Sequence, residues 1–209
     1  MTARCVELGD GVPVCRYAEL DLSIGLVLGD GECMVVDTRG DLVQGAEPAA
    51  AVREITPAPW TVAITHALPA RAELTGGGRR VVLASFGPGH TDGDLVAHVP
   101  DAGVVFAGDL VEQGAPPAFE DSHPRSWPTA VDGILGLAST VASPGHGEPV
   151  DADFVTAQRA EPALISELSS DVVAGSRSRR EALVRSPYPD EVLGAAIERS
   201  RTTRPAAGK

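Results

Sequence analysis

Histidine and aspartate residues beside glycines, each following a short apolar run, constrain the fold of this chain more than any other feature. His90 lies in a Gly-His-Thr sequence, Asp109 follows a glycine, and His146 lies between two glycines. His66 also stands at the end of an apolar run. Apolar runs of this length are typical of buried strands, so all four side chains are predicted at strand ends. Because His and Asp are common zinc ligands, the pattern indicates strand-end loops that carry metal ligands toward one point.

The composition is that of an acidic globular protein of single-domain size. The chain has 209 residues, 43% of them hydrophobic, and a formal net charge of -12 at pH 7. A strongly acidic surface repels phosphate backbones and anionic lipid headgroups. We therefore predict neither a nucleic-acid partner nor a membrane partner. The basic segment at residues 176–185 is interpreted as a solvated helix face or tail.

Cysteine usage and the lack of long apolar segments favour a cytoplasmic location. Cys5, Cys15 and Cys33 show no metal-ligand spacing. We expect all three as reduced thiols, with Cys33 in the core. The N-terminal residues contain no apolar run suited to a signal peptide, and no stretch reaches the roughly 18–20 apolar residues of a membrane span.

The order of predicted elements favours two sheets with helices packed outside them, an αββα sandwich of the α/β (α+β) class. Strands are predicted at residues 22–28, 33–36, 60–65, 81–86, 94–99, 103–107 and 139–142. Helices are predicted at residues 48–55, 126–137, 153–168 and 190–199. The first predicted elements are strands, and strands and helices alternate after them. This order favours the αββα sandwich.

Taken together and in this order, the motifs resemble those of the metallo-β-lactamase fold superfamily of metal-dependent hydrolases. The motifs are Val35-Val36-Asp37-Thr38, Thr65-His66, Gly89-His90-Thr91, Gly108-Asp109 and Gly145-His146-Gly147. The resemblance covers about residues 22–154. It implies a sandwich of the metallo-β-lactamase type. We assign residues 1–170 to this domain and residues 171–209 to a C-terminal helical extension and tail.

The resemblance also implies a role for each candidate ligand. The family site usually holds two zinc ions, bound by a His-x-His-x-Asp-His cluster and three later motifs. His66 matches the first histidine of the cluster, and His90 and His146 match two later ligands. Asp109 matches the bridging carboxylate, and it is also the candidate catalytic residue because it would assist the attacking water.

The chain departs from the family pattern directly after His66. Leu68, Ala70 and Arg71 stand where the family has His, Asp and His. Residues 67–80 replace an interval of several tens of residues, which indicates an internal deletion with residues 68–78 as a bridge. The remaining donors could hold one zinc ion at most, and the sequence leaves open that they hold none.

Other polar residues could take part in the site. Glu73, Asp92 and Asp121 are the carboxylates that could be recruited as ligands, although solvated loop positions are the simpler interpretation. Asp94, with Thr91, could orient His90, because a ligating imidazole usually donates its other N–H to an oxygen; alternatively it caps a turn. His98 is expected on an exposed strand face, and His123 is a candidate for the cleft wall.

The leading hypothesis is a metal-dependent hydrolase with an impaired or mononuclear site and a small-molecule substrate of unspecified class. The alternative is a non-catalytic binding or structural protein that keeps the scaffold. The sequence leaves open whether the chain is an enzyme. Loss of an internal segment would uncover apolar surface, which predicts self-association.

Overall fold

The computed structural model describes residues 4–18, 20–37, 46–64, 71–76 and 78–202. The strands are β1 Arg4–Gly9, β2 Val12–Tyr17, β3 Leu22–Gly29, β4 Glu32–Val36, β5 Trp60–Ile64, β6 Arg71–Gly76, β7 Arg79–Ala84, β8 Val96–Val99, β9 Val104–Glu112, β10 Val141–His146 and β11 Val150–Asp151. The helices are α1 Ala46–Ile55, α2 Trp127–Leu135, α3 Ala152–Ala174, α4 Arg179–Arg185 and α5 Asp190–Thr202.

The strands form two sets that meet at His146. In the first set, β1, β2, β3 and β4 pair antiparallel in sequence order and β5 runs parallel to β4. In the second set, β6, β7, β8 and β9 pair antiparallel, and β10 runs parallel to β9 and antiparallel to β11. The residue pair Leu22 and His146 connects β3 to β10. The two predicted sheets are therefore joined at one corner, where a candidate ligand lies.

The two strand sets face each other across an apolar core. Valines and Met34 of the first set pack with apolar residues of the second, of which Phe106 is the largest. The approach is close, since a Cβ on Gly25 of β3 would overlap the Phe106 ring. A side chain at Gly25 would therefore push the sheets apart.

Helices cover the outer faces of both strand sets. On the second set, apolar residues of α2, α3, α4 and α5 share one cluster with β9 and β10. On the first set, Val52 of α1 packs with Ile24, Leu26 and Val35. The layers follow the order helix, sheet, sheet, helix. The predicted αββα fold class is confirmed.

Some elements differ from the sequence predictions. The bridge predicted at residues 68–78 contains a strand, β6, which was missed because Arg71, Glu73 and Thr75 alternate with partly buried residues on a half-exposed face. The hairpin of β1 and β2 was also missed. Ser178 and Glu181 form a reciprocal capping box that starts α4, so of the two interpretations of the basic segment, a helix face or a tail, the helix is the observed one.

Helix α3 extends further than the sequence predicted. It continues to Ala174, so the domain boundary proposed at residue 170 lies inside it. The division into two domains stays a prediction. Among the described helices, none combines the length and the apolar character needed to cross a bilayer.

The cysteines are not all free. Cys5 and Cys15 are directly opposed on β1 and β2 and form a disulfide with a Cα–Cα distance of 4.0 Å. The expectation of reduced thiols is therefore wrong for this pair, because the hairpin register that brings them together was not predicted. Cys33 is fully buried, as expected, and burial raises its pKa to about 11.

The disulfide should contribute measurably to stability. Closing a loop of this length restricts the unfolded chain by about 3 kcal/mol. For a protein of this size, reduction should then lower Tm by roughly 6–12 °C. Differential scanning calorimetry with and without a phosphine reductant measures the difference. The Cys5→Ser variant is altered at an exposed position. Its Tm should be close to that of the reduced wild type and should not change when reductant is added. Equal Tm values for oxidised and reduced wild type would contradict the prediction.

Candidate metal centre

The carboxylate of Asp109 lies between two imidazoles. Its Oδ2 is 3.6 Å from Nδ1 of His90, and its Oδ1 is 3.4 Å from Nε2 of His146. Asp109 belongs to β9, His146 ends the parallel neighbour β10, and His90 lies in the loop after β7. The fold thus brings together three of the four predicted ligands. His66 lies outside the described residues.

The loop that carries His90 is held by Asp94. One Asp94 oxygen accepts the Gly89 N–H at 2.7 Å, and the other accepts the N–H and hydroxyl of Thr91 at 2.9 and 2.8 Å. Of the two predicted alternatives for Asp94, capping the loop is therefore the observed one. The His90 ring also meets the edge of Trp127, with ring centroids 5.7 Å apart.

Two neighbours shape the surroundings of Asp109. The indole N–H of buried Trp127 donates to the carbonyl of Leu110 at 3.1 Å, which ties helix α2 to β9 directly after the carboxylate. Gly145 of β10 packs against Asp109, and a Cβ there would overlap Oδ1. Glycine at position 145 therefore gives the carboxylate room to lie beside His146.

The His146 ring has its two nitrogens in different surroundings. Nδ1 lies 2.5 Å from the carbonyl oxygen of Leu20. A carbonyl can only accept, so this contact requires a proton on Nδ1. When the imidazole is neutral, Nε2 then carries a lone pair that faces the Asp109 carboxylate. Two hydrogen-bond acceptors, Nε2 and a carboxylate oxygen, therefore face each other. Such an arrangement is favourable when a cation or a proton lies between them.

The spacing of these donors fits a metal ion. Two donors about 2.0–2.2 Å from a tetrahedral zinc are roughly 3.3–3.6 Å apart, which matches both distances from Asp109. Each of its oxygens faces a single histidine. In the described part of the chain, no group of three or more His, Cys, Asp or Glu residues is arranged to hold an ion. A third His, Cys, Asp or Glu ligand would therefore have to come from outside the described ranges, and His66 is the predicted one.

Two of the three carboxylates that were candidates for recruitment, those of Glu73 and Asp92, pair with basic side chains. Glu73 pairs with Arg80 across the β6–β7 hairpin. An Asp92 oxygen is 2.6 Å from Nε2 of His123. Asp121 contributes its backbone carbonyl to Arg199 at 3.0 Å.

The remaining two histidines occupy different surroundings. The backbone N–H of His123 donates to the Gly89 carbonyl at 2.7 Å, which places it against the loop of His90. His98 is half-buried rather than exposed, and burial lowers its pKa.

A cleft of about 160 Å³ opens beside Asp109 and His90. Thr91, Asp94 and Leu110 contribute to its wall. A smaller cavity of about 50 Å³ continues between the two sheets, toward Ser23. The open volume adjoins the candidate ligands, so a small molecule could reach the Asp109 carboxylate.

Glu112 is a buried acid that the sequence interpretation missed. It is the last residue of β9 and only 7% exposed. Burial raises its pKa to about 7; the Asp109 charge adds to the rise and His146 opposes it. The amide of Gln158 on α3 accepts from the Glu112 N–H at 3.1 Å and donates to its carbonyl. A charged residue at the end of an apolar run carries no sequence signal for burial.

The structure predicts pH-dependent stability from Glu112. The folded state favours the protonated form of an acid whose pKa is raised. The stability of the fold is therefore unaffected by this group below its unfolded pKa of about 4.5, and it falls as pH rises through 7 and the buried acid loses its proton. Glu112→Gln removes the titration. With both proteins free of metal, the unfolding free energy of the variant should therefore exceed that of wild type by about 3 kcal/mol at pH 8 and by less than about 1 kcal/mol at pH 5. Urea unfolding at both pH values measures this. An equal difference in unfolding free energy at pH 5 and at pH 8 would contradict the prediction.

Gly145 provides a steric prediction. The added methyl of Gly145→Ala would overlap Oδ1 of Asp109 and crowd the Asp109 backbone nitrogen at 3.1 Å, so we expect a loss of about 1–3 kcal/mol in unfolding free energy. Gly136→Ala is the matched control, because its φ is -64° and the nearest atom to the new Cβ is a carbonyl oxygen at 3.4 Å. In urea unfolding, the free energy of Gly136→Ala should be close to that of wild type. A Gly145→Ala protein as stable as the control would show that the space beside Asp109 is not restricted.

Sequence comparison identifies relatives of this chain. Residues 39–146, which are 108 of the 209, match the family model described as the metallo-beta-lactamase superfamily. A hydroxyacylglutathione hydrolase of Cereibacter sphaeroides is 30% identical over 172 residues, covering 77% of this chain and 66% of that protein. The chain thus spans about two thirds of the length of this curated relative.

Solved structures share the fold at low sequence identity. TMB-1 has a TM-score of 0.65 and 13% identity, covering 78% of this chain and 98% of TMB-1. The DIM-1 metallo-beta-lactamase has a TM-score of 0.61 and 14% identity, with coverage of 78% and 98%. A metallo-beta-lactamase from Pontibacter korlensis has a TM-score of 0.59 and 15% identity, with coverage of 78% and 99%. At these identities the likeness concerns the fold alone.

Proposed function

Because this chain belongs to the metallo-β-lactamase superfamily, in which hydrolase-like function is the common property, we propose that it is a hydrolase-like protein with an impaired, mononuclear zinc site. In this proposal His66, His90 and Asp109 hold one ion at most. His146 lies on the other side of the shared carboxylate. The substrate is a small molecule that enters the cleft beside Asp109.

One observation carries the proposal. Asp109 directs one carboxylate oxygen toward His90 and the other toward His146, at distances suited to donors that share a cation. A second ion would need further donors from the cluster after His66. Leu68 and Ala70 have no donor atoms there, and Arg71 has a fixed positive charge that opposes a dication.

The chemistry divides between the ion and the side chains. A bound zinc would supply a Lewis acid and lower the pKa of water. Asp109 would accept a proton from the attacking water on a carboxylate oxygen, which is the catalytic role we assign to it. Asp94 keeps the His90 loop in place through its three hydrogen bonds. The hydroxyacylglutathione hydrolase relative supports a hydrolytic reaction.

The second candidate is a non-catalytic binding or structural protein with the same scaffold. The replacement of three cluster ligands by Leu68, Ala70 and Arg71 favours it. A chain of this kind would keep His90, Asp109 and His146 as remnants of an ancestral site. Metal content distinguishes the two candidates, because a remnant without enough donors would bind zinc weakly.

Zinc stoichiometry tests the proposed function. Protein purified without chelator should contain about one zinc per chain, measured by inductively coupled plasma mass spectrometry. Asp109→Asn should lose the ion, because the amide carries no charge to hold it. Asp92→Asn is the control, since that carboxylate is exposed and pairs with His123. It should retain the wild-type zinc content.

Other stoichiometries would change the conclusion. Zinc near two equivalents would overturn the mononuclear site and imply donors outside the four predicted residues. Zinc below about a tenth of an equivalent, together with no hydrolysis of ester or thioester probes in added zinc, would favour the non-catalytic candidate.

Partners and location complete the proposal. We propose a small-molecule substrate, no nucleic-acid or membrane partner, and self-association through apolar surface near the cleft. Sedimentation velocity over a range of concentrations tests the self-association.

We keep the cytoplasmic location as a proposal. Disulfides are characteristic of oxidising compartments, so the redox state of Cys5 and Cys15 in intact cells tests it.

A further inference from the structure

The imidazole of His146 is held from the side away from Asp109 by the turn between β2 and β3. Nδ1 of His146 lies 2.5 Å from the Leu20 carbonyl oxygen. The next amide, Gly147 N–H, donates to the Asp21 carbonyl at 3.1 Å. One turn thus supplies acceptors to the ring and to the adjoining backbone. The direction of the imidazole depends on where these two carbonyls point.

This turn has an unfavourable backbone that needs support. Leu20 and Asp21 have φ values of 59° and 53°, in the left-handed region that costs a non-glycine residue about 1 kcal/mol or more. The Leu20 side chain is 78% exposed, so its packing contributes little to holding the turn. Besides the bond from Gly147 N–H to the Asp21 carbonyl, a side-chain contact can hold the turn.

Arg16 of β2 provides that support. Its guanidinium forms ion pairs with both Asp21 and Glu148, and its side chain is only 14% exposed. Asp21 lies in the turn, and Glu148 lies two residues after His146. Arg16 therefore connects the segment that supplies the carbonyl to the segment that carries the imidazole. Arg4 also pairs with Glu148, at 3.1 Å, but its side chain is 70% exposed.

We propose that Arg16 is a positioning residue for the metal centre. Through Asp21 and Glu148 it keeps the Leu20 carbonyl on Nδ1 of His146, and so directs the unprotonated Nε2 toward Asp109. A partially buried ion pair that is hydrogen-bonded at both ends holds geometry better than an exposed one. A ligating imidazole depends on such a bond from its second nitrogen, which fixes the tautomer.

The inference goes beyond the proposed function, in which His66, His90 and Asp109 hold the ion, because it concerns His146 on the other side of the shared carboxylate. The orientation of the ring is a separate property and can be measured in metal-free protein. The two can therefore fail independently. For this reason the experiment reads the protonation of Nδ1 first and zinc affinity second.

The test uses ¹⁵N-labelled, metal-free protein and long-range ¹H–¹⁵N correlation spectra of the histidine rings. We expect Nδ1 of His146 to be protonated in wild type and to lose this preference in Arg16→Gln. Arg16→Lys should restore it partly, because an ammonium keeps the charge but lacks the planar fork that reaches both carboxylates. Arg4→Gln is the matched control and should resemble wild type.

A second variant guards against a general loss of structure. Asp21→Asn keeps the shape of the side chain and removes one arm of the ion pair, so it should shift His146 in the same direction as Arg16→Gln. The resonances of His90 and His98 serve as internal controls and should not move. If Nδ1 of His146 stays protonated in both variants, the inference is overturned.

Zinc titration separates the inference from the proposed function. If His146 is a ligand, Arg16→Gln should lower zinc affinity by about 10–100-fold, and Arg4→Gln should leave it unchanged. A lost Nδ1 proton with unchanged zinc affinity would uphold the positioning role and reject His146 as a ligand. An unchanged Nδ1 with unchanged affinity would overturn the positioning role and leave the zinc stoichiometry of the proposed function untouched.

Discussion

A single carboxylate shared between two imidazoles is the interaction on which the rest of the site depends. Asp109 stands on β9, and its two oxygens face His90 and His146 from different segments of the second strand set. An uncompensated negative charge between two ring nitrogens is unfavourable in a partly buried cleft. Gly145 makes room for this carboxylate, and the Leu20 carbonyl holds the His146 ring that faces it.

The supports of the three side chains come from separate parts of the chain. Asp94 caps the loop of His90, Trp127 on α2 binds the backbone after Asp109, and the Leu20 turn orients His146. None of these contacts uses the segment after His66. The site can therefore keep the geometry of its described half although the sequence after the first predicted ligand departs from the family pattern.

The fold class and the neighbourhood of His90, Asp109 and His146 could be predicted because their signals are local. Each residue follows an apolar run and sits beside glycine, so strand, loop and side chain are all defined within a few positions. The metal-binding roles of these residues stay predictions. The ends of β7 and β8 were located within two residues, but β9 continues five residues past its predicted end, so Asp109 lies inside that strand rather than directly after it.

What the sequence did not reveal depends on contacts between distant segments. The carbonyl of Leu20 is a backbone group and has no signature in the sequence. The Cys5–Cys15 disulfide requires the register of a hairpin whose strands are short. Buried Glu112 has its backbone bound by Gln158, which lies on a helix 46 residues later. Such features become visible only when the packing of β9, α2 and α3 is known.

The pairing of Gln158 with Glu112 has a consequence for motion in the protein. A side-chain amide on α3 occupies both backbone groups at the end of β9, as a neighbouring strand would. The Glu112 amide is therefore shielded from solvent exchange by a helix rather than by the sheet. Its opening frequency reports detachment of α3, and any such detachment would loosen the strand that carries Asp109.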